Sequence, residues 1–341
     1  MNPVSNLPIP LLAWYRDNAR DLPWRQSPDP YRVWVSEIML QQTRVAAVLG
    51  YFQRFMEAFP TVRDLAEAPE DQLMKLWQGL GYYSRARNLQ KAAQQIMTEF
   101  GGVFPTDYKA IRSLAGVGDY TASALASICF GQPTPAVDGN LLRVAARIMA
   151  DDTDITTAKG KKYFTQALAQ VIPLAEPGKF NQAMMDLGAM VCLPNGAPLC
   201  EKCPAADFCQ AHIQGRTGEL PVRPPKKPRK VEERKVFFLF HEGKVALRRR
   251  PAKGLLAGLW EYPNCLGQEE PPLAVENLDF AGTGVHIFTH VEWQMTAWKA
   301  SLDTPDLPEG WVWADRTALA DRYAVPSAFA PFRALVEEEL P

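Results

Sequence analysis

The sequence predicts a mainly α-helical N-terminal half followed by a small α+β C-terminal domain. Three observations carry this. Apolar residues recur at three- and four-residue steps from Leu7 to about Ala211. A tract of three prolines and five bases, RPPKKPRK (Arg223 to Lys230), then breaks the pattern, and from about residue 232 the apolar period shortens towards two. With 341 residues and 47% hydrophobic content, the chain is long enough to bury two or three ordinary cores.

In chain order, the first half reads as about ten helices. VAAVLGYFQRFMEAF and LLRVAARIMA keep the helical period, and connectors such as FPTVRD and FGGVFPTD separate them with Pro, Gly or Asp. Around residues 107–130 a short helix, DYKAIRSL, runs into LAGVGDYTASAL (Leu114 to Leu125), where a second helix opens at Asp119. Gly116 and Gly118 let the backbone turn tightly and bring its amides close to a ligand. The first amides of the new helix suit a phosphate, a way of holding DNA without reading its sequence. The same pattern also serves as a plain turn between core helices. Residues 215–231 read as an extended basic linker. Beyond it, KVFFLF and KVALRRR flank HEGK as a hairpin, GVHIFTHVEWQMTAWKASL gives further strands, and SAFAPFRALVEEEL gives a closing helix.

Nothing in the sequence approaches the roughly 18 apolar residues of a membrane span, and no signal peptide opens it, so a cytoplasmic protein is expected. The net charge of −1 is unevenly spread: residues 301–341 hold eight acids and three bases, which leaves the rest of the chain positive. Such an excess permits a basic face towards nucleic acid without requiring one.

Four of the six cysteines crowd into CLPNGAPLCEKCPAADFC: Cys192, Cys200, Cys203 and Cys209, spaced C-x7-C-x2-C-x5-C. Cytosolic thiols stay reduced, so a metal is the better reading than disulfides, and spacing alone leaves zinc and a cubane iron–sulfur cluster equally open. VSEIMLQQT (Val35 to Thr43) sets one carboxylate, Glu37, among apolar neighbours that include Val33, Trp34, Ile38 and Leu40. Apolar surroundings raise a carboxyl pKa and make it an acid at neutral pH. Asp138, in PAVDGN before LLRVAARIMA, reads on its own as a helix cap.

The hairpin LAGVGDYTA, the downstream PAVDGN and the cysteine loop together resemble the helix-hairpin-helix DNA glycosylases, and VSEIMLQQT with GLGYYSRARNL narrows the resemblance to the MutY family of adenine glycosylases. The resemblance implies two helical subdomains over residues 1–214, an iron–sulfur loop at 192–209 holding a [4Fe–4S] cluster, and a Nudix-like domain over 232–341. The family's usual first cysteine gap is one residue shorter; an extra residue within Leu193 to Leu199 can bulge outward without moving either sulfur, so the cluster assignment stands.

The implied chemistry is removal of adenine opposite 8-oxoguanine, or guanine, in duplex DNA. Glu37 would protonate the base and then activate water, Asp138 would stabilise the sugar cation, and Asn140 would orient the site. Strand-cutting relatives carry a lysine where this sequence has Tyr120, so a monofunctional enzyme that leaves an abasic site is expected, with Tyr120 positioning the sugar or Asp138. Gln42 and Tyr82, with Leu40 nearby, would enter the stack beside the lesion. Arg20, Trp24 and Arg25 would border the adenine pocket, and Phe288, Thr289 and His290 would recognise 8-oxoguanine. GLLAGLWEYP resembles the Nudix domain without its glutamate-rich magnesium box, so hydrolase activity is not expected there. The resemblance further implies a monomer associated with the nucleoid that meets replication or repair proteins. The readings weighed against it are a non-catalytic DNA-binding or electron-carrying iron–sulfur protein and an endonuclease III-like lyase.

Overall fold

The computed structural model describes residues 2–225, 228–275 and 277–341, so Lys226 and Lys227 of the expected linker lie outside the described residues. Two compact units emerge. The first comprises the chain up to Phe52, Pro60–Ala66 and Lys91–Pro225; the second comprises Gln53–Phe59, Glu67–Gln90 and the chain beyond Pro225. The division runs through two helices, Val45–Ala58 and Ser84–Glu99.

In the first unit the local chemistry sets where the helices start. Asp29 caps Pro30–Leu40 by accepting from the amides of Tyr31 and Arg32, with Pro30 at the first helical position, where its missing N–H costs nothing. Asp107 caps Tyr108–Ser113 in the same way, and the chain then turns through Gly116, at φ +74°, into Asp119–Phe130. A β-carbon is disfavoured at that dihedral, which accounts for the glycine. Asp138 caps Gly139–Met149. That helix packs with Pro177–Met190 over a core in which Leu141, Phe164, Phe180, Met184 and Leu187 are fully buried. Among the described residues no helix is long and apolar enough to cross a membrane.

The second unit is built on a mixed seven-stranded sheet. Its strands are β1 (Lys230–His241), β2 (Lys244–Arg249), β3 (Trp260–Glu261), β4 (Asn264–Leu266), β5 (Asp279–Ile287), β6 (Val291–Ser301) and β7 (Trp311–Ala314). The order is β3-β2-β1-β6-β5, with β4 also on β1 and β7 also on β2. β1 runs parallel to β6 from Lys230↔Val291 to Phe240↔Ser301, and the other pairs are antiparallel. The apolar run of β1 is explained by its central place. Val236, Phe238 and Phe240 enter one core while Phe237 and Leu239 enter another on the opposite face, as expected of a strand buried on both sides.

The expected hairpin forms with Phe240 opposite Val245, around Glu242 (φ +44°) and Gly243 (φ +71°). Two positive dihedrals in a two-residue loop match the right-handed strand twist. The expected closing helix is split. Ser327–Phe332 is a 3-10 turn containing Pro331, and only Arg333–Glu339 is α-helical. Proline has no amide to give to an α-helical ladder, so the regular helix starts after it.

Candidate active site

Glu37 sits on Pro30–Leu40 with 5% of its surface exposed, on a helix whose residues Val33 to Met39 are all buried. Its Oε2 accepts a 2.7 Å hydrogen bond from the Tyr120 hydroxyl. Burial pushes its pKa up, the Tyr120 bond pulls it back, the nearby Asp138 charge raises it again and Arg25 lowers it. The net shift is upward, in the direction the sequence led us to expect.

Asp138 is held differently. Its Oδ1 accepts the amides of Asn140 (2.8 Å) and Leu141 (2.9 Å), and its Oδ2 accepts Asn140 Nδ2 at 2.8 Å. Burial is the largest influence and leaves its pKa above the ordinary carboxylate range, although these three bonds and the Arg143 charge favour the anion and offset part of the rise. The helix end adds a positive dipole. Asn140 in turn accepts from Arg143 Nη2 at 2.9 Å, and Arg143 also donates to the carbonyls of Gly188 and Cys192. One carboxyl thus has a single phenol partner in an apolar helix face, and the other has three donors at a helix start.

Both line one cavity of about 400 Å³, with Arg20, Trp24, Arg25, Leu40, Tyr120 and Asn140 among the other walls. That volume is within the usual range for small-molecule sites. Of the two partners expected for Tyr120, the sugar or Asp138, the hydroxyl is not bonded to Asp138; it is bonded to Glu37. The phenol oxygen reaches across from Asp119–Phe130 to the glutamate helix, while the donors of Asp138 come from its own helix. Arg20 and Arg25 both clamp Asp186, whose side chain is fully buried: Arg20 Nη2 lies 2.6 Å and Arg25 Nη1 2.7 Å from its oxygens. Burial raises the Asp186 pKa, but the two guanidinium partners outweigh it and hold the carboxyl below its usual range. Asp186 and Arg143 are the residues that sequence reasoning missed. Asp186 carries the signal that marked Glu37, an acid inside an apolar helical run, MMDLGAM.

Gln42 is exposed and stands at φ +58°, an uncommon dihedral for a non-glycine residue. A β-carbon built on Gly118 meets nothing within 4 Å, so open space lies against that backbone where Asp119–Phe130 begins. In the second unit Tyr82 is 44% exposed at φ +47°. The 288–290 loop joins β5 to β6 and is closed by the Phe288 amide on Val291 O at 2.8 Å. Thr289 and His290 are exposed, whereas Phe288 packs edge-on against His286 (4.5 Å) and Trp293 (4.9 Å). The structure therefore gives Phe288 an anchoring place and leaves the other two outward.

Cys192, Cys200, Cys203 and Cys209 line one small cavity with Val144, Arg147 and Ile148. All four thiols are free, and burial with mutual repulsion pushes Cys203 up to about 12. Among the described residues no group of three or more His, Cys, Asp or Glu side chains is arranged to hold a metal ion. The donor set, four soft thiols without a carboxylate at one cavity, suits zinc or an iron–sulfur cluster rather than a hard cation. Arg147 Nη1 lies 3.3 Å from Cys192 Sγ and supplies positive charge there. Within the first gap Pro194 to Ala197 are exposed, and Leu199 N on Val191 O (3.0 Å) closes the base of the loop.

Residues 35–173 match the family described as HhH-GPD superfamily base excision DNA repair protein, and residues 235–335 match the NUDIX domain. The chain is similar to the adenine DNA glycosylase of Rattus norvegicus, at 36% identity over 86% of this chain and 70% of the rat protein. It is similar also to that of Homo sapiens, at 34% identity over 89% of this chain and 69% of the human protein. Among solved structures, a thermostable thymine-DNA glycosylase is similar with a TM-score of 0.55 and 27% identity, covering 62% of this chain and 97% of that one.

Proposed function

The chain belongs to the adenine DNA glycosylases, and we propose that it hydrolyses the N-glycosidic bond of adenine opposite 8-oxoguanine in duplex DNA, leaving an abasic site. The observation that carries this reading is the pair of carboxyls at one cavity in unlike surroundings, Glu37 apolar and Asp138 hydrogen-bonded. Glu37, neutral, gives its proton to a ring nitrogen of the extruded adenine, so the base departs uncharged. The glycosidic electron pair leaves with it. Asp138, as the anion, stabilises the oxocarbenium ion left on the sugar, by charge or by transient attachment. Glu37, now ionised, takes a proton from the water that adds to that carbon and returns to its starting state.

Monofunctional chemistry follows from the phenol at position 120. A strand-cutting lyase needs an amine to form a Schiff base, and Tyr120 instead spends its hydroxyl on Glu37. Arg20, Trp24 and Arg25 border the base, Gln42 and Tyr82 enter the stack, and Thr289 and His290 meet the lesion from a loop anchored by Phe288. Gly116 and Gly118 bring the hairpin amides to the phosphates.

We infer further that the four thiols hold a [4Fe–4S] cluster. Cys192, Cys200, Cys203 and Cys209 would hold it, and iron–thiolate bonding there would cross-link the 192–209 loop. Arg147 ties that loop to Gly139–Met149, the helix that Asp138 caps, by donating to Leu193 O at 2.8 Å. A broad visible absorption band, lost with any one cysteine, tests this.

The deciding experiment is a duplex containing one adenine opposite 8-oxoguanine. Strand breaks that appear only after alkali are expected. Nicking without alkali would mean a lyase, and binding without product would mean a non-catalytic protein.

A further inference from the structure

Resting on the reading that Tyr82 enters the stack, we propose that Arg85 is its positioning residue, a buried guanidinium that holds the 79–82 turn in the shape that thrusts the tyrosine out. Arg85 is 8% exposed. Its Nη2 donates to Leu80 O at 3.0 Å and Gly81 O at 3.1 Å, and its guanidinium carbon lies 5.6 Å from the centre of the Tyr82 ring and 5.3 Å from that of Trp77. Trp77 Nε1 gives a second bond to the same Gly81 oxygen, at 3.1 Å.

The geometry explains the strain. The carbonyl of Gly81 belongs to the peptide plane leading into Tyr82, so two donors on one oxygen hold that plane, and the Arg85 amide, donating to Tyr82 O at 2.9 Å, holds the next; together they set the tyrosine's φ of +47°. A non-glycine residue enters this region only when its surroundings hold it there. Space is not the constraint, because a β-carbon on Gly81 would meet nothing within 4 Å. Burial draws the Arg85 pKa down to about 10, which leaves it cationic at neutral pH and able to attract both rings. The turn then presents a ring that stays 44% exposed, with its hydroxyl against Thr289 Oγ1 of the lesion-reading loop. Arg85 thus fixes the backbone of one lesion-contacting residue at the point where it meets another.

The test is a double-mutant cycle in the full chain. Single-turnover excision and duplex affinity are measured with adenine opposite 8-oxoguanine and opposite guanine, for Arg85→Met, Tyr82→Ala and the double variant. Tyr82→Ala is expected to weaken the 8-oxoguanine duplex about tenfold or more, as loss of base–aromatic stacking does. Arg85→Met should reproduce most of that loss, and the double variant should be no worse than Tyr82→Ala. Arg85→Lys keeps the charge but loses the planar fork; it should show the same pattern more weakly and serves if Arg85→Met fails to fold. Losses that add in the double variant, or an unimpaired Arg85→Met, would overturn the inference and leave the Tyr82 reading standing. A silent Tyr82→Ala would overturn that reading and this inference with it.

Discussion

Glu37 and Asp186 are both carboxylates buried on apolar helix faces, and their partners send them in opposite directions. Glu37 has one neutral donor and is pushed up; Asp186 has two arginines and is held down. If Glu37 is the acid, Glu37→Gln should cut excision by about 10²–10⁴-fold, the usual worth of general acid catalysis, while duplex affinity persists. The reaction needs Glu37 protonated, so excision should fall as pH rises through its elevated pKa, and fall again in acid as Asp138 takes a proton. The two limbs belong to the coupled pair. Because the Tyr120 hydroxyl favours the Glu37 anion, Tyr120→Phe should move the alkaline limb to higher pH. A pH–rate profile with that limb unmoved or moved down would sink the assignment. Asp186→Asn leaves two arginines facing a neutral amide, and breaking a buried pair of this kind costs about 3–5 kcal/mol. A depressed carboxylate pKa stabilises above the ordinary carboxylate range and loses that effect as pH falls through the depressed value. Thermal melts should therefore separate variant from parent at neutral pH and bring them together in acid. One apolar-flanked acid was read from the sequence and its twin was not, because only tertiary structure brings Arg20 and Arg25 to residue 186.

At the scale of elements, Gly139–Met149 is capped by the same aspartate that the chemistry needs, so stability and activity can be separated there. Asparagine caps about as well as aspartate, whereas alanine loses about 1 kcal/mol. Asp138→Asn should thus melt close to the parent and lack excision, and Asp138→Ala should lose both; equal melting of the two variants would mean that the cap contributes nothing. The cap was legible because Asp, Gly and Asn precede an uninterrupted apolar period. Also legible were Gly116 of the hairpin and Gly243 of the Glu242–Gly243 turn, where a positive φ selects glycine. The 3-10 turn at Ser327–Phe332 was missed, although Pro331 forbids a regular helix there, since the apolar period of SAFAPFRALV favours one.

Across the whole molecule, the assignment of Glu67–Gln90 to the sheet-bearing unit is the feature least visible in the sequence. Its helices keep a regular helical period, and the groups that hold them are at least 171 residues away. Lys75 Nζ donates to Leu319 O at 2.7 Å, Gln78 Nε2 to Val325 O at 2.6 Å, and Arg87 packs beneath Gly258. Burial lowers the Lys75 pKa, an unfavourable setting for an ammonium unless those carbonyls are in place. A chain ending at Pro225 would lose these acceptors and uncover Lys75 and Gln78. Helix Glu70–Trp77 is then expected to open locally, and its amides should exchange with solvent faster than in the full chain, while those of Gly139–Met149, packed within the first unit, keep their protection. Equal exchange of Glu70–Trp77 in the two chains would show that the first unit alone sustains that helix. The Tyr82 turn follows directly after this helix, so the truncated chain should also bind an 8-oxoguanine duplex more weakly than loss of Thr289 and His290 alone explains; a Thr289→Ala, His290→Ala variant of the full chain sets that baseline.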